Sequence, residues 1–229
     1  MIVRMGLLTR KPGLSSEDFR SHWRDVHGPL AARLPGLRRY HQNHVVDRSQ
    51  LAIDHARGAW SVDGISELWF DSLDDMHRAI SSDAYREVAE DHVRFVGGTG
   101  LITAEQNVVV PVEATAGPLV KRMSILTRKR GLTPEQFKSE WWGFHADAVR
   151  KFPNLMGYTQ NLLTGRSAGL GQSASYEALP IDGMVELWFR SVADIEAAFR
   201  SPAANVSQTH ALSFIEEITT FLVETHEVI

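Results

Sequence analysis

"FRSHWRDVHGPLAARLPGLRRYHQN" (Phe19–Asn43) returns 118 residues later as "FKSEWWGFHADAVRKFPNLMGYTQN" (Phe137–Asn161). Over Met5–Asn43 against Met123–Asn161, 17 of 39 positions are identical. After one inserted residue, "DGISELWF" (Asp63–Phe70) matches "DGMVELWF" (Asp182–Phe189) at six of eight positions. A period this long exceeds the 20 to 50 residues of a solenoid repeat, so a whole domain has been duplicated. The expected division of the 229-residue chain is 1–115 and 116–229.

Each half reads the same way. "IVRMGLLT" (Ile2–Thr9) and "VKRMSILT" (Val120–Thr127) are short apolar runs closed by a Lys/Arg/Gly turn, as strands are. A helix follows. Thr133-Pro134-Glu135-Gln136 places a threonine N-cap before a first-turn proline and a glutamine at the third position, and Ser15-Ser16-Glu17-Asp18 is a looser equivalent. Gly28-Pro29 is expected to interrupt or restart that helix and to leave His27 at a helix end. Strands at 37–46 and 64–70, a helical stretch at 72–95 and a strand at 102–112 complete the unit.

This βαββαβ order predicts an α+β fold of two ferredoxin-like repeats, each with helices on one face of an antiparallel sheet. Two such sheets can cover each other's bare faces within one chain. Strand alternation puts Glu67 and Trp69 on one face of strand three and Ser66, Leu68 and Phe70 on the other, with Glu186 and Trp188 equivalent in the second half. Strand one neighbours strand three in this topology, which brings Arg4 toward Glu67 and Arg122 toward Glu186. Two readings follow: ion pairs at the sheet interface, or glutamates of raised pKa acting as bases in a buried cavity.

Composition excludes several functions. A net charge of -4 gives no basic stripe, so no nucleic-acid partner is expected. The absence of cysteine removes disulfides, thiolate metal sites and a cysteine nucleophile, and fits a reducing compartment. The N-terminal residues read as a strand and not a signal peptide, and no run reaches the length of a membrane helix, so no membrane partner and a cytoplasmic location are expected. There is no phosphate loop, since "GGTG" (97–100) precedes a strand, and no nucleophile elbow. No metal and no cofactor are expected.

Of ten histidines only His27 and His145 occupy matching positions, and the other eight read as incidental. An imidazole suits proton transfer because its unperturbed pKa of about 6.5 lies near working pH. Tyr40 and Tyr158 are candidate donors to a substrate oxygen, with Trp23, Asn43, Glu67, Trp69, Trp141, Asn161, Glu186 and Trp188 as candidate substrate-binding residues. The competing structural reading has the histidines bonding backbone carbonyls and the tyrosines filling core.

The run from "TRKPGLSSEDFRSHWRDVHGPLAARLPGLRRYHQN" to "DGISELWFDSLDDMHRAISS" resembles the EthD family of the dimeric α/β-barrel superfamily, and the second half resembles it again. The Phe-x-x-x-Trp-x-x-x-His element, the Pro-Gly-Leu-x-x-Tyr turn and the Asp-Gly-x-x-Glu-Leu-Trp-Phe strand carry the resemblance together. It implies a barrel formed by two sheets, and histidines serving a hydrophobic pocket at His27 and His145. The family name derives from ethyl tert-butyl ether degradation, and the resemblance also extends to muconolactone isomerases and polyketide cyclases or decarboxylases. It therefore implies a cofactor-independent acid/base enzyme acting on a small hydrophobic, phenolic or lactone molecule. A haem- or oxygen-dependent monooxygenase and a non-catalytic small-molecule binder are the alternatives, and homodimerisation of the tandem chain stays open. Ala146-Asp147 in place of Gly28-Pro29, and Asn154 in place of Gly36, set the second half apart.

Overall fold

In the computed structural model, which describes residues 1–113, 117–168, 170 and 172–229, the first half runs β1 (Ile2–Arg10), α1 (Ser16–His22), α2 (Gly28–Ala31), β2 (Leu37–Asp47), β3 (Gly64–Phe70), α3 (Leu73–Ile80), α4 (Asp83–Phe95) and β4 (Val96–Val110). The second half repeats it as β5 (Val120–Arg128), α5 (Pro134–Glu140), α6 (Ala146–Val149), β6 (Gly157–Ala168), β8 (Gly183–Phe189), α7 (Val192–Phe199), α8 (Pro202–Phe214) and β9 (Ile215–Glu227), with a two-residue β7 (Gln172–Ser173) added beside β6. The expected division at 115/116 lies outside the described residues.

Within each half the strand order is that of a ferredoxin-like sheet, β4-β1-β3-β2 and β9-β5-β8-β6. The halves then join at both edges: β2 pairs with β9 and β4 with β6, all antiparallel. Eight strands therefore close into one barrel, which removes every free edge of the two sheets. Its interior is filled by alternate residues of the strands, among them Val3, Met5, Ile65, Ile102, Met123, Met184 and Phe221. The opposite residues of the same strands face the helices; Leu8 packs with Phe19, Trp23 and Phe95, and Leu68 and Phe70 pack with Met76 and Val88.

Local chemistry explains the elements. Thr133 forms the full capping box with Gln136, while Ser15 accepts from the Asp18 amide alone. Gly28-Pro29 does not end the helix. A π turn at Trp23–His27 absorbs the change, the Gly28 amide bonds to the Trp23 carbonyl, and α2 continues with Pro29 in its first turn, where no amide proton is needed. The matching segment of the second half, Trp141–His145, is kinked instead: Gly143 leaves the helical region (φ -88°, ψ -115°) and the Ala146 amide bonds to the Gly143 carbonyl. His27 therefore sits inside a widened turn, not at a terminus. Strand four begins at Val96 instead of 102, because pairing with β1 holds the "GGTG" run extended despite its poor strand propensity.

The Asp-Gly pair before β3 has two mechanical jobs. Asp63 accepts from the Arg10 amide (2.9 Å) and guanidinium (3.2 Å), and Asp182 does the same for Arg128. Gly64 and Gly183 leave room for the indoles of Trp23 and Trp141: a Cβ there would stand 2.2 and 2.4 Å from the rings. Asn154 takes the left-handed conformation (φ 61°) that Gly36 takes in the first half (φ 74°), a substitution asparagine tolerates. Among the described residues no helix is long and apolar enough to cross a membrane.

Candidate functional site

The side chains singled out in the sequence are sorted by the sheet into two places. Trp23, His27 and Tyr40 lie between the helices and the outer face of the first half's sheet; Trp141, His145 and Tyr158 are equivalent in the second half. Asn43, Glu67, Trp69, Asn161, Glu186 and Trp188 lie on the other face, in the barrel interior. A β-sheet separates the two groups.

In the first cleft, a slot of about 40 Å3 lined by His27, Tyr40, Trp23, Ser66 and His92, the imidazole of His27 is 6% exposed. Its Nδ1 lies 2.9 Å from Oδ2 of Asp91, itself buried on α4. The other oxygen of Asp91 takes Nε2 of His22 at 3.0 Å. With Nδ1–H donating to the carboxylate, Nε2 of His27 carries the lone pair and has no hydrogen-bond partner among the described residues. Burial lowers the His27 pKa, against the opposing pull of Asp91, so the ring is neutral and basic near pH 7.

Tyr40 is the second polar group of the slot. Its oxygen accepts from Trp23 Nε1 (2.9 Å) and Gln42 Nε2 (3.2 Å), and the same Gln42 nitrogen donates to the Trp23 carbonyl in the π turn (2.7 Å). Both lone-pair directions are thus taken while the O–H proton has no protein acceptor. Burial pushes its pKa up to about 12, so it remains a donor. Gln160 and Tyr158 repeat this pattern, with Gln160 Nε2 at 2.6 Å from Tyr158 Oη and 2.8 Å from the Trp141 carbonyl. This accounts for the Tyr and Gln retained in both halves; the indole bond to the tyrosine is made by Trp23 alone, Trp141 Nε1 being buried without a partner.

The second cleft, of about 60 Å3, differs in kind. His210 stands where Asp91 stands, and Glu140 where His22 stands. The chain of contacts becomes Glu140 to His210 Nε2 (3.0 Å) and His210 Nδ1 to His145 Nδ1 (3.5 Å). Burial and then His210 hold the His145 pKa far below the usual imidazole range. Val149, Phe152, Leu187, Phe199 and Ile215 make most of the wall apolar, with Ser124, Tyr158, Ser207 and Gln208 as further polar groups. Ile53 and His55 reach this cleft from the first half's β2–β3 loop, where His55 Nε2 meets the Ile215 carbonyl (3.2 Å). His22, His55, His92 and His210, read as incidental in the sequence, therefore belong to the clefts. The signal that would have found two of them is the exchange of acid and imidazole at matched positions, His22/Glu140 and Asp91/His210.

The pairing expected between Arg4 and Glu67, and between Arg122 and Glu186, does not form. The register sets Arg4 opposite Leu68 and Met5 opposite Glu67, so the arginines face the helices and the glutamates the barrel axis. The cation between the glutamates is Lys121, at the position of Val3 in the first half. Its Nζ lies 2.8 Å from Glu67 and 2.6 Å from Glu186. Asn43 donates to Glu67 (2.8 Å) and Asn161 to Glu186 (2.7 Å). Burial and then the Glu67 charge push Glu186 up to about 7, and burial of Lys121 is outweighed by its two carboxylates, which hold its pKa above the ordinary value. Among the described residues no cluster of three or more His, Cys, Asp or Glu could hold a metal ion.

A closed barrel of two ferredoxin-like halves, each with a histidine-lined cleft between helices and sheet, defines a tandem form of the dimeric α/β barrel. The chain belongs to the EthD family: the EthD domain matches residues 11–99 and again 129–216. No curated protein sequence matches it. Solved structures share the fold at low identity. An anthrone oxidase-like protein is 11% identical at a TM-score of 0.64, covering 99% of this chain and 92% of that one. A monooxygenase candidate from Lactobacillus acidophilus NCFM is 10% identical at 0.58, covering 98% and 93%. A dye-decolorizing peroxidase from Bacteroides thetaiotaomicron is 10% identical at 0.51, covering 97% and 92%.

Proposed function

We propose that the first cleft is a cofactor-independent acid/base site of the isomerase, cyclase or decarboxylase type, acting on a small hydrophobic molecule with an activated C–H or O–H group. The observation that carries this reading is the bare Nε2 of His27, backed through Nδ1 by buried Asp91, in the same slot as a tyrosine O–H with no acceptor. Nε2 takes the proton. Asp91 stabilises the imidazolium that forms, Tyr40 donates to the oxygen on which charge develops, and half-exposed His22 on the far side of Asp91 leads toward solvent. General acid/base catalysis of this kind contributes about 10²–10⁴-fold.

Proton–deuterium exchange tests it without the natural substrate. A panel of enol lactones and phenolic ketones is incubated with the protein in D2O and followed by NMR. The wild type and His145→Gln accelerate exchange at the activated carbon of at least one compound, and His27→Gln abolishes it. No acceleration by the wild type, or undiminished exchange in His27→Gln, refutes the reading.

The haem alternative finds less support. His145 has a free Nε2 facing its cleft, but about 60 Å3 walled by Phe152 and Phe199 is room for a few waters and not a porphyrin. The residues present do not fit the group, and no step is derived through it.

A further inference from the structure

A second imidazole lines the slot beside His27 and Tyr40. His92, on α4, is 7% exposed. Its Nε2 lies 2.6 Å from Thr99 Oγ1 near the start of β4, and its Nδ1 has no hydrogen-bond partner among the described residues. The ring centroid stands 5.8 Å from that of His27, and both rings pack against Phe95, at 5.9 and 5.0 Å. A slot of about 40 Å3 holds about three waters, so a polar group that enters it meets His27, Tyr40 and His92 together.

The fold does not require this histidine. Leu8 faces Thr99 across β1 and β4 just as Leu126 faces Ile218 across β5 and β9, so Ile218 takes the place of Thr99 and Ala211 that of His92. Ala211 and Ile218 belong to an apolar cluster with Phe214, the counterpart of Phe95. The first half thus buries an imidazole, together with the hydroxyl that holds it, where its duplicate packs alanine and isoleucine. Burying such a polar pair costs stability that apolar side chains would not. The ring is also kept uncharged: burial, and after it His27, push its pKa down to about 4, and Asp91 spends its oxygens on His22 and His27. A neutral ring can stay beside His27 when that residue gains a proton, where a second cation would be repelled.

We infer that His92 is a second hydrogen-bond donor to the substrate oxygen: Thr99 donates its hydroxyl proton to Nε2, which leaves Nδ1–H for the slot next to the Tyr40 O–H. The two donors then hold the oxygen on which charge develops while Nε2 of His27 takes the proton from the neighbouring carbon. His92 keeps its own proton throughout, the role a neutral imidazole can fill beside a separate base. The substrate class is therefore an enolisable carbonyl compound. This rests on the acid/base reading for turnover, but not for the binding of an oxyanion.

4-Nitrophenol tests the donor without turnover, because its phenolate is visible by absorbance and the midpoint of the bound phenol reads how well the slot holds an oxyanion. The wild type lowers that midpoint below the value of the free phenol. His92→Ala, which installs the residue the second half packs at this place, moves it back up by about one pH unit, the loss of one hydrogen bond to a charged oxygen. His92→Asn, whose amide still donates, restores part of the shift, and Thr99→Val, which frees the ring to present its lone pair, loses part of it. In the exchange assay His92→Ala lowers kcat by about 10²-fold with KM little changed. A wild type that does not bind the phenol or leaves its midpoint unshifted, or a midpoint that is the same in wild type, His92→Ala and Thr99→Val, overturns the inference. Undiminished exchange in His92→Ala, with exchange abolished in His27→Gln, also overturns it and leaves the acid/base reading standing. A lowered midpoint that depends on His92, in a protein without proton exchange, retains the donor and discards the acid/base reading.

Discussion

Replacing Glu67 by glutamine tests the charge cluster on the barrel axis through its pH dependence. Two carboxylates and one ammonium are sealed there, Lys121 being 4% exposed and the glutamates 0 and 3%. Glu186 is pushed from 4.5 to about 7, by burial first and then by Glu67. Its folded pKa is raised, so the folded protein binds a proton that the unfolded chain releases. The stabilisation is full below about pH 4.5 and is lost as pH rises through about 7. At about 1.4 kcal/mol per pKa unit, this one group makes the wild type roughly 3 kcal/mol less stable at pH 8 than at pH 4.5. Glu67→Gln deletes the like charge, and the new amide can accept from Lys121 while donating to Glu186. The Glu186 pKa then falls toward its ordinary value while burial, the larger cause, remains, so the slope shrinks without vanishing. The difference in stability, variant minus wild type, should grow by about 1–3 kcal/mol from pH 5 to pH 8, a relative rise in Tm of about 2–4 °C per kcal/mol for a chain of this size. Urea unfolding followed by tryptophan fluorescence at both pH values measures it. A difference constant between pH 5 and 8 would refute the argument, because every other titrating group is common to the two proteins.

Lys121→Met leaves two carboxylates in the dry interior and costs about 3–5 kcal/mol at pH 8, less at pH 5 where one is protonated; chemical denaturation at the two values checks both magnitude and trend. Asp91→Asn removes the contributions that raise the His27 pKa and leaves burial, so the His27 midpoint, followed by its ring-proton shifts in NMR, moves further down. An upward move would sink the assignment of Asp91 as its partner. His210→Asp gives the second cleft the acid of the first, removing the group that lowers His145 and supplying one that raises it, and the His145 midpoint should climb by more than one pH unit. Gly64→Ala drives a Cβ to within 2.2 Å of the Trp23 ring and lowers stability by at least the 1–3 kcal/mol of an overpacked core, read as a drop in urea midpoint.

The barrel was legible in the sequence because duplication doubles each weak signal. Two apolar runs with an Asp-Gly before the third strand mean little once, and the same order twice at a near-constant offset fixes the topology. The recurrence of His27 and Tyr40 as His145 and Tyr158 was legible for the same reason. What stayed hidden is what differs between the halves. Asp91 and His210 occupy matching positions with opposite chemistry, so a search for identical residues passes over both. Lys121 faces Val3 across the duplication and carries no motif, yet strand alternation alone puts it beside the glutamates. The error over Arg4 and Glu67 was one of register. Neighbouring strands were known, but antiparallel pairing of Met5 with Glu67 sends Arg4 to the other face, and a slip of one residue reverses every side chain.

Fusion of the two halves into one chain is what permits these differences. In a symmetric pair of identical subunits every residue appears twice about the axis, so a single lysine cannot sit between two glutamates. Here Lys121 has no counterpart but Val3, and burial together with the unmatched second carboxylate pushes Glu186 up to about 7. The loop holding Gln50 and Leu51 caps Arg122 across the halves. The first cleft keeps a carboxylate-backed imidazole, and the second carries an imidazole pair instead. Loss of symmetry frees the two clefts to carry different side chains, and the shared barrel obliges both halves to persist because each supplies the strands that close the other.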